Sequence, residues 1–266
     1  METYRLKNIA IVILLLLNGC LLLMVGHQSL QSLNAERRAA EQLQGLYEAS
    51  QLPLSEQIDF SQQALGPLSL SRSADMEQAI ASALLGGGVT SSSQGGGIYS
   101  YEAGERMIQF RAGGSFYGSR LDVPIDDIHA FAEDFCKKFS YDAPVLQLSG
   151  GTGSAMAGQL AGGVPVVNCG IELYFEEGRL ISVTGAHISL QDASMDPGER
   201  MTCVTALMKF LDYRNTAGVV CSEVTGVRCV YQLQSVSELK LLPVWEVATD
   251  TNTYYVDCGD GAVYTR

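Results

Sequence analysis

The chain has 266 residues, 47% of them hydrophobic, and a formal charge of −12. That length allows one large domain or two small ones with a real core. The acidic balance argues against nucleic acid or an anionic surface as a partner.

Ile9 to Val25 is an apolar run without charge, and its one clearly polar residue is Asn18. As a helix at about 1.5 Å per residue it spans roughly 26 Å, close to the hydrocarbon core of a bilayer. Arg5 and Lys7 precede it, which places the short N-terminus in the cytoplasm. The expectation is a cytoplasmic tail over 1–8, a transmembrane helix over 9–26 and everything beyond outside the cytoplasm. Two other readings compete. The run is longer than the apolar core of a signal peptide and lacks its small-residue exit. A lipid-modified Cys20 fits Leu17-Asn18-Gly19-Cys20 loosely, but the apolar stretch continues past Cys20 to Val25.

Residues 28–50 are rich in helix formers and predict a helix leaving the membrane. Pro53 ends it, so 27–60 is expected to be a helical stalk and linker. Ser73 is placed to cap a helix through Met76, Ile80, Ala83 and Leu84, stopped by Gly86-Gly87-Gly88. Ser91 to Gly97 reads as a flexible loop. Ile98 to Phe110 reads as a hairpin turning at Glu102-Ala103-Gly104-Glu105. Pro124 is expected to open a helix with Ile125, Ile128, Phe131, Phe135 and Phe139 on one face.

A second Gly-rich stretch, 149–163, reads as a flexible linker and as the seam between two lobes, 61–148 and 149–266. Val164 to Ala186 reads as a hairpin turning at Glu176-Glu177-Gly178. Asp196-Pro197-Gly198-Glu199 predicts a helix start, with Met201, Val204, Leu207, Met208 and Leu211 on the buried side. A last hairpin runs from Leu242 to Thr249 and from Tyr254 to Cys258, and Trp245 within it reads as core. The expected fold is therefore α+β: antiparallel hairpins alternating with helices.

Catalytic signatures are weak. Gly151-Thr152-Gly153 begins a dinucleotide-binding pattern that Met156 breaks. Ser237-Glu238-Leu239-Lys240 matches a Ser-x-x-Lys pattern whose companion motifs do not occur in the chain. The three histidines, His27, His129 and His187, show no zinc spacing. Carboxylate pairs such as Glu176-Glu177 fall in turns. No catalytic residue, metal ligand or cofactor is assigned.

Beyond Cys20 there are six cysteines, Cys136, Cys169, Cys203, Cys221, Cys229 and Cys258. In an oxidising compartment they are candidate disulfide partners, with connectivity open, and buried free thiols are the alternative. Asn18 and Gly19 together offer a polar amide and a notch for packing against another membrane helix.

The N-terminal YRLKNIAIVILLLLNGCLLL, the phrase LYEASQLPLS, the helix DMEQAIASALLGG, the segment GVPVVNCGIELYFEEGRLISVTGAH and the C-terminal LLPVWEVATDTNTYYVDCGDGAVYT together resemble the YycH/YycI family, YycI most of all. The last segment also resembles the strand pair of PepSY-type domains. The resemblance implies a single-pass cell-membrane regulator, without enzymatic activity or cofactor, that contacts an envelope sensor histidine kinase of a two-component system and a YycH-like protein. A PepSY-like module that binds a peptide or restrains a peptidase is a second expectation, and a wall-active hydrolase a third.

Overall fold

The computed structural model describes residues 37–197, 200–235 and 238–266. The expected transmembrane helix, with Asn18 and Gly19, lies outside the described residues, and so does Ser237. Among the described residues, no helix is long and apolar enough to cross a membrane, which says nothing of a β-barrel.

The fold expectation is overturned. Strands dominate, joined in one mixed sheet of 14. Helix α1 covers 37–49. Then come β1 (Leu68–Ser69), α2 (Ala74–Leu85), β2 (Thr90–Gly95), β3 (Ile98–Ala103), β4 (Arg106–Arg111), β5 (Ser115–Pro124), α3 (Ile128–Lys138), β6 (Val145–Ser149), β7 (Thr152–Ala161), β8 (Val164–Glu176) and β9 (Arg179–Ala186). The chain closes with β10 (Ser194–Met195), α4 (Cys203–Ala217), β11 (Val224–Gln234), β12 (Lys240–Thr249), β13 (Thr253–Asp257) and β14 (Val263–Thr265). The sheet order is β10-β1-β12-β11-β8-β9-β5-β4-β3-β2, with β13 and β14 branching from β12, and β7 and β6 from β8.

The helical stalk is corrected as well. Leu43 and Tyr47 of α1 are fully buried, and the Tyr47 hydroxyl donates to the Leu207 carbonyl at 2.7 Å. An apolar stripe facing a matching core is worth more packed than extended into solvent. The 149–163 linker is instead a hairpin turn and strand β7. A Cβ at Gly153, where φ is +142°, would lie 2.0 Å from the Gln147 carbonyl oxygen, so glycine there serves a tight turn. The loop expected over 91–97 is largely β2, whose fully exposed strand is held by its ladder with β3.

Other expectations hold. Ser73 caps α2 through the Met76 N–H, and Gly86 closes it in the left-handed region. The hairpins β3–β4, β8–β9 and β12–β13 form. Helix α3 starts at Ile128, four residues later than expected, capped by Asp127, because Pro124 ends strand β5. Helix α4 is capped by Thr202, so the Asp196 start is wrong. Asp196 instead accepts from the Ser69 hydroxyl at 2.7 Å.

The core has three parts. The first packs α2 and α3 against one face of β3, β4, β5, β7, β8 and β9, with Ile108, Phe110, Phe175 and Leu173 at its centre. The second packs α1 and α4 on β11, β12 and β13 around Trp245. These two cores mark a first lobe, α2, α3 and β2–β9, and a second lobe, α1, α4 and β11–β14, which differ in bounds from the expected 61–148 and 149–266; a smaller third core, with Val166, Tyr231 and Leu241, lies where they meet.

Candidate functional site

Strand pairing places one continuous rung on the face of the first lobe opposite α2 and α3. Gln109 pairs with Tyr117, Tyr117 with Thr184, Thr184 with Glu172, Glu172 with Met156 and Met156 with Val145. Successive side chains in a strand point to opposite faces. The neighbouring rung, Phe110, Phe116, Gly185, Ile171 and Ala157, therefore faces the helices. On the outer rung Tyr117 is 55% exposed, Val145 61% and Met156 37%. Among the described residues no helix lies on this face.

The rung crosses an open groove of about 570 Å³. Its floor is backbone. Gly158 of β7 pairs with Gly170 of β8, and a Cβ at Gly170 would meet the Ala157 carbonyl oxygen at 2.7 Å. Any side chain there would force the strands apart. Beyond this pair the register jumps, so that Gln159 faces Val166 and Val167, Asn168 and Cys169 bulge out.

The bulge aims two side-chain amides along the sheet as substitutes for missing ladder rungs. Asn168 donates to the Leu233 carbonyl and accepts from the Leu233 N–H, both at 2.6 Å. Gln159 does the same with Ile188, both at 2.8 Å, and its oxygen also receives the Cys169 thiol at 3.0 Å. Asn168 thus forms one wall of the groove and fastens the first lobe to the second. Glu172 and Thr184 supply the groove's carboxylate and hydroxyl.

A second polar cluster lies on the helix-covered side. Glu77 of α2 is nearly buried. It takes both arms of Arg72, at 2.8 and 2.6 Å, and the Tyr101 hydroxyl at 2.8 Å. The Arg72 guanidinium also lies 3.3 Å from the centre of the Tyr99 ring. Burial and the Glu77 carboxylate push the Tyr101 phenol up to about 12. The adjoining crevice holds about 20 Å³. With both charges mutually satisfied and no room for a substrate, this cluster is a fastening between the Arg72 segment and α2.

His187 follows β9 between the Phe139 and Tyr141 rings, with Nε2 3.2 Å from the Phe139 carbonyl oxygen. Burial pulls its imidazole down to about 4, against a smaller opposing effect of that bond.

The candidates named from sequence scatter. Lys240 is held by Glu238 at 2.6 Å and approaches Asp196 at 3.7 Å. Glu176 and Glu177 sit exposed at the β8–β9 turn, and His129 is exposed on α3. All six cysteines are free thiols. Among the described residues no three His, Cys, Asp or Glu side chains converge as a metal site. The groove residues were missed. The hairpin of β8 and β9 was legible and β7 was not, and only the pairing register shows that Tyr117, Thr184, Glu172 and Met156 share a rung.

No family model and no curated protein matches the chain. Solved structures that resemble it distantly include the following two. An uncharacterized protein from Eubacterium rectale ATCC 33656 covers 81% of this chain and 91% of its own, at 12% identity and a TM-score of 0.42. The YpeB C-terminal domain of Bacillus megaterium covers 74% of this chain and 98% of its own, at 13% identity and a TM-score of 0.36. Neither comparison gives support to the YycI part of the resemblance. Neither likeness is close enough to carry a functional argument.

Proposed function

We propose that this protein is a non-catalytic binding module, held outside the cytoplasm by its N-terminal apolar segment, that receives an extended polypeptide on the outer face of its first lobe. The single observation behind this reading is the bare rung from Tyr117 to Val145 over a groove floored by glycine backbone. An antiparallel sheet tolerates one solvated face, but that face ordinarily carries short polar side chains. Here a tyrosine, a methionine and a valine stand exposed around one carboxylate. The occupant that suits them has apolar side chains for Tyr117, Met156 and Val145 and a cation for Glu172.

The finer reading follows the family resemblance: the occupant belongs to an envelope sensor histidine kinase or a YycH-like protein, and binding biases the kinase between two states. A restrained peptidase is the second reading, and it uses the same face. Catalysis is set aside because the chemistry-bearing groups considered are neutralised in ion pairs or solvated in turns.

The test is a photo-reactive phenylalanine analogue in place of Thr184 in the tagged full chain, followed by irradiation in cells and mass spectrometry of the adduct. Capture of a sensor kinase or a second single-pass protein supports the regulatory reading, and capture of a secreted peptidase supports the second. Equal capture from a control position, exposed Val220 in the second lobe, removes the groove as the site.

A further inference from the structure

We propose that strand β6 is a self-association edge, to which a second copy of this chain adds its own β6, antiparallel, across a two-fold axis at Gln147. The inference rests on the edge of the sheet and not on the groove. Among the described residues β6 pairs with β7 alone, so the backbone N–H and C=O groups on its other side meet no strand. Such a row is a template for another strand. The sheet's other edges are poorer templates. Strands β10 and β14 have two and three residues. Strand β2 is fully exposed, and its register slips between Ser93 and Gly95. Strand β6 has five residues in unbroken register, from Val145 opposite Met156 to Ser149 opposite Thr152. It holds no charge and no proline, two of the devices that ordinarily blunt an edge.

The occupant follows from the strand's own sequence. Val145-Leu146-Gln147-Leu148-Ser149 reads nearly the same in both directions about Gln147. Two such strands, antiparallel about a two-fold axis, match side chain to side chain. Leu146 of each copy meets Leu148 of the other, which gives two apolar cross-strand pairs. These leucines point to the helix-covered side, where Leu146 lies opposite buried Ala155. Both are only partly buried against the first core, so the added strand completes their cover. On the open face Gln147 meets its own counterpart. An amide carries both donors and an acceptor, so two of them satisfy each other. Val145, 61% exposed, comes to stand opposite a small Ser149.

Charge points the same way. The chain carries −12, so two copies repel in most orientations. From Ala143 to Ile171 there is no charged residue, and this stretch holds β6, β7 and the start of β8. Docking through β6 therefore joins two neutral margins. The two-fold axis of an antiparallel pair stands perpendicular to the sheet, so both open faces point the same way. The pair presents one widened antiparallel sheet, with its two grooves on a common side.

The test is sedimentation equilibrium of the full chain in detergent, with substitutions at Gln147, which is exposed in the single chain. The unmodified chain should sediment as a dimer. Gln147→Lys sets two cations against each other across the axis and should raise the dissociation constant about fivefold or more. Gln147→Glu should do the same with two carboxylates. Mixing the two variants, one of them fluorescently labelled, should restore a mixed dimer, because each cation then meets a carboxylate. That rescue requires Gln147 to face itself, and misfolded variants would not show it. A monomeric unmodified chain overturns the proposal. So does a dimer that survives both substitutions, whose contact must lie elsewhere, the N-terminal apolar run included. A mixture of the two variants that stays monomeric overturns it as well.

Discussion

The two lobes are built on opposite plans. The first folds from nearly contiguous chain: its core runs from Ile80 to Val183, sealed on one face by α2 and α3 and open on the other. The second joins Leu43, Tyr47 and Leu52 near one end of the described chain to Trp245 and Val256 near the other. Its sheet is closed on the Trp245 side and partly covered on the other, where Val230 and Val244 are fully buried but Arg228 stands 57% exposed. Contacts between distant segments must overcome a larger loop-closure entropy. The lobe made of local hairpins leaves a whole face uncovered, while the lobe made of distant segments buries one face completely and the centre of the other. A free surface is therefore found where the fold does not need it.

Several measurements would break or sharpen this contrast. The largest effect is expected from Trp245→Ala. The indole is fully buried and its N–H donates to the Met201 carbonyl at 2.9 Å. The loss should be about 4 kcal/mol, and hydrogen exchange should show it in β11, β12, β13 and α4 while β4, β5 and β9 stay protected. Simultaneous loss everywhere would make the two lobes one cooperative unit.

Acid should act on the other lobe. His187 is neutral in the fold down to about pH 4, whereas an unfolded histidine takes its proton near 6.5. Between those values the unfolded chain binds the extra proton, so stability falls as pH drops from about 6.5 to about 4 and is fully present above that window. The loss is at most about 3 kcal/mol. Urea midpoints across the window should show this slope, and His187→Gln should flatten it.

Asn168→Ala removes both bonds to Leu233 and should cost about 1–3 kcal/mol. Its signature is separation of the lobes' unfolding transitions in calorimetry, since the amide sits where they join. Last, Arg228→Ala breaks a surface pair with Glu246 at 2.6 Å in which the arginine side chain is 57% exposed. The change should stay below about 1 kcal/mol, and a larger shift in Tm would show the second lobe's surface to be less passive than its geometry implies.

The sequence made local signals legible and long-range ones not. The Ser73 cap, the Gly86 stop, three hairpin turns and the burial of Trp245 depend on neighbours within a few residues or on a strong apolar pattern. Strand β5 escaped because its alternation is broken between Ser119 and Val123, where Arg120 and Asp122 adopt positive φ. Strand β2 escaped because six polar or glycine residues become a strand through their partner alone. Glycine-rich composition suggested slack at 149–163, but glycine at Gly153 and Gly170 marks backbones packed too closely for a Cβ. The groove was invisible for the same reason. Its lining comes from β7, β8 and β9, and the rung that crosses it exists only once the register is set.

One consequence of the docked helix α1 concerns reach. If the apolar run is an anchor, only the residues from Gly26 to Glu36 lie between its end at Val25 and Arg37, the first described residue of α1. Whatever their conformation, eleven residues extend at most about 40 Å. A free stalk would carry the body far from the bilayer, but this tether is a leash that keeps it within one or two protein diameters of the lipid. A partner embedded in the same membrane then meets the body at a high local concentration, so even a weak contact on the open face would be occupied most of the time.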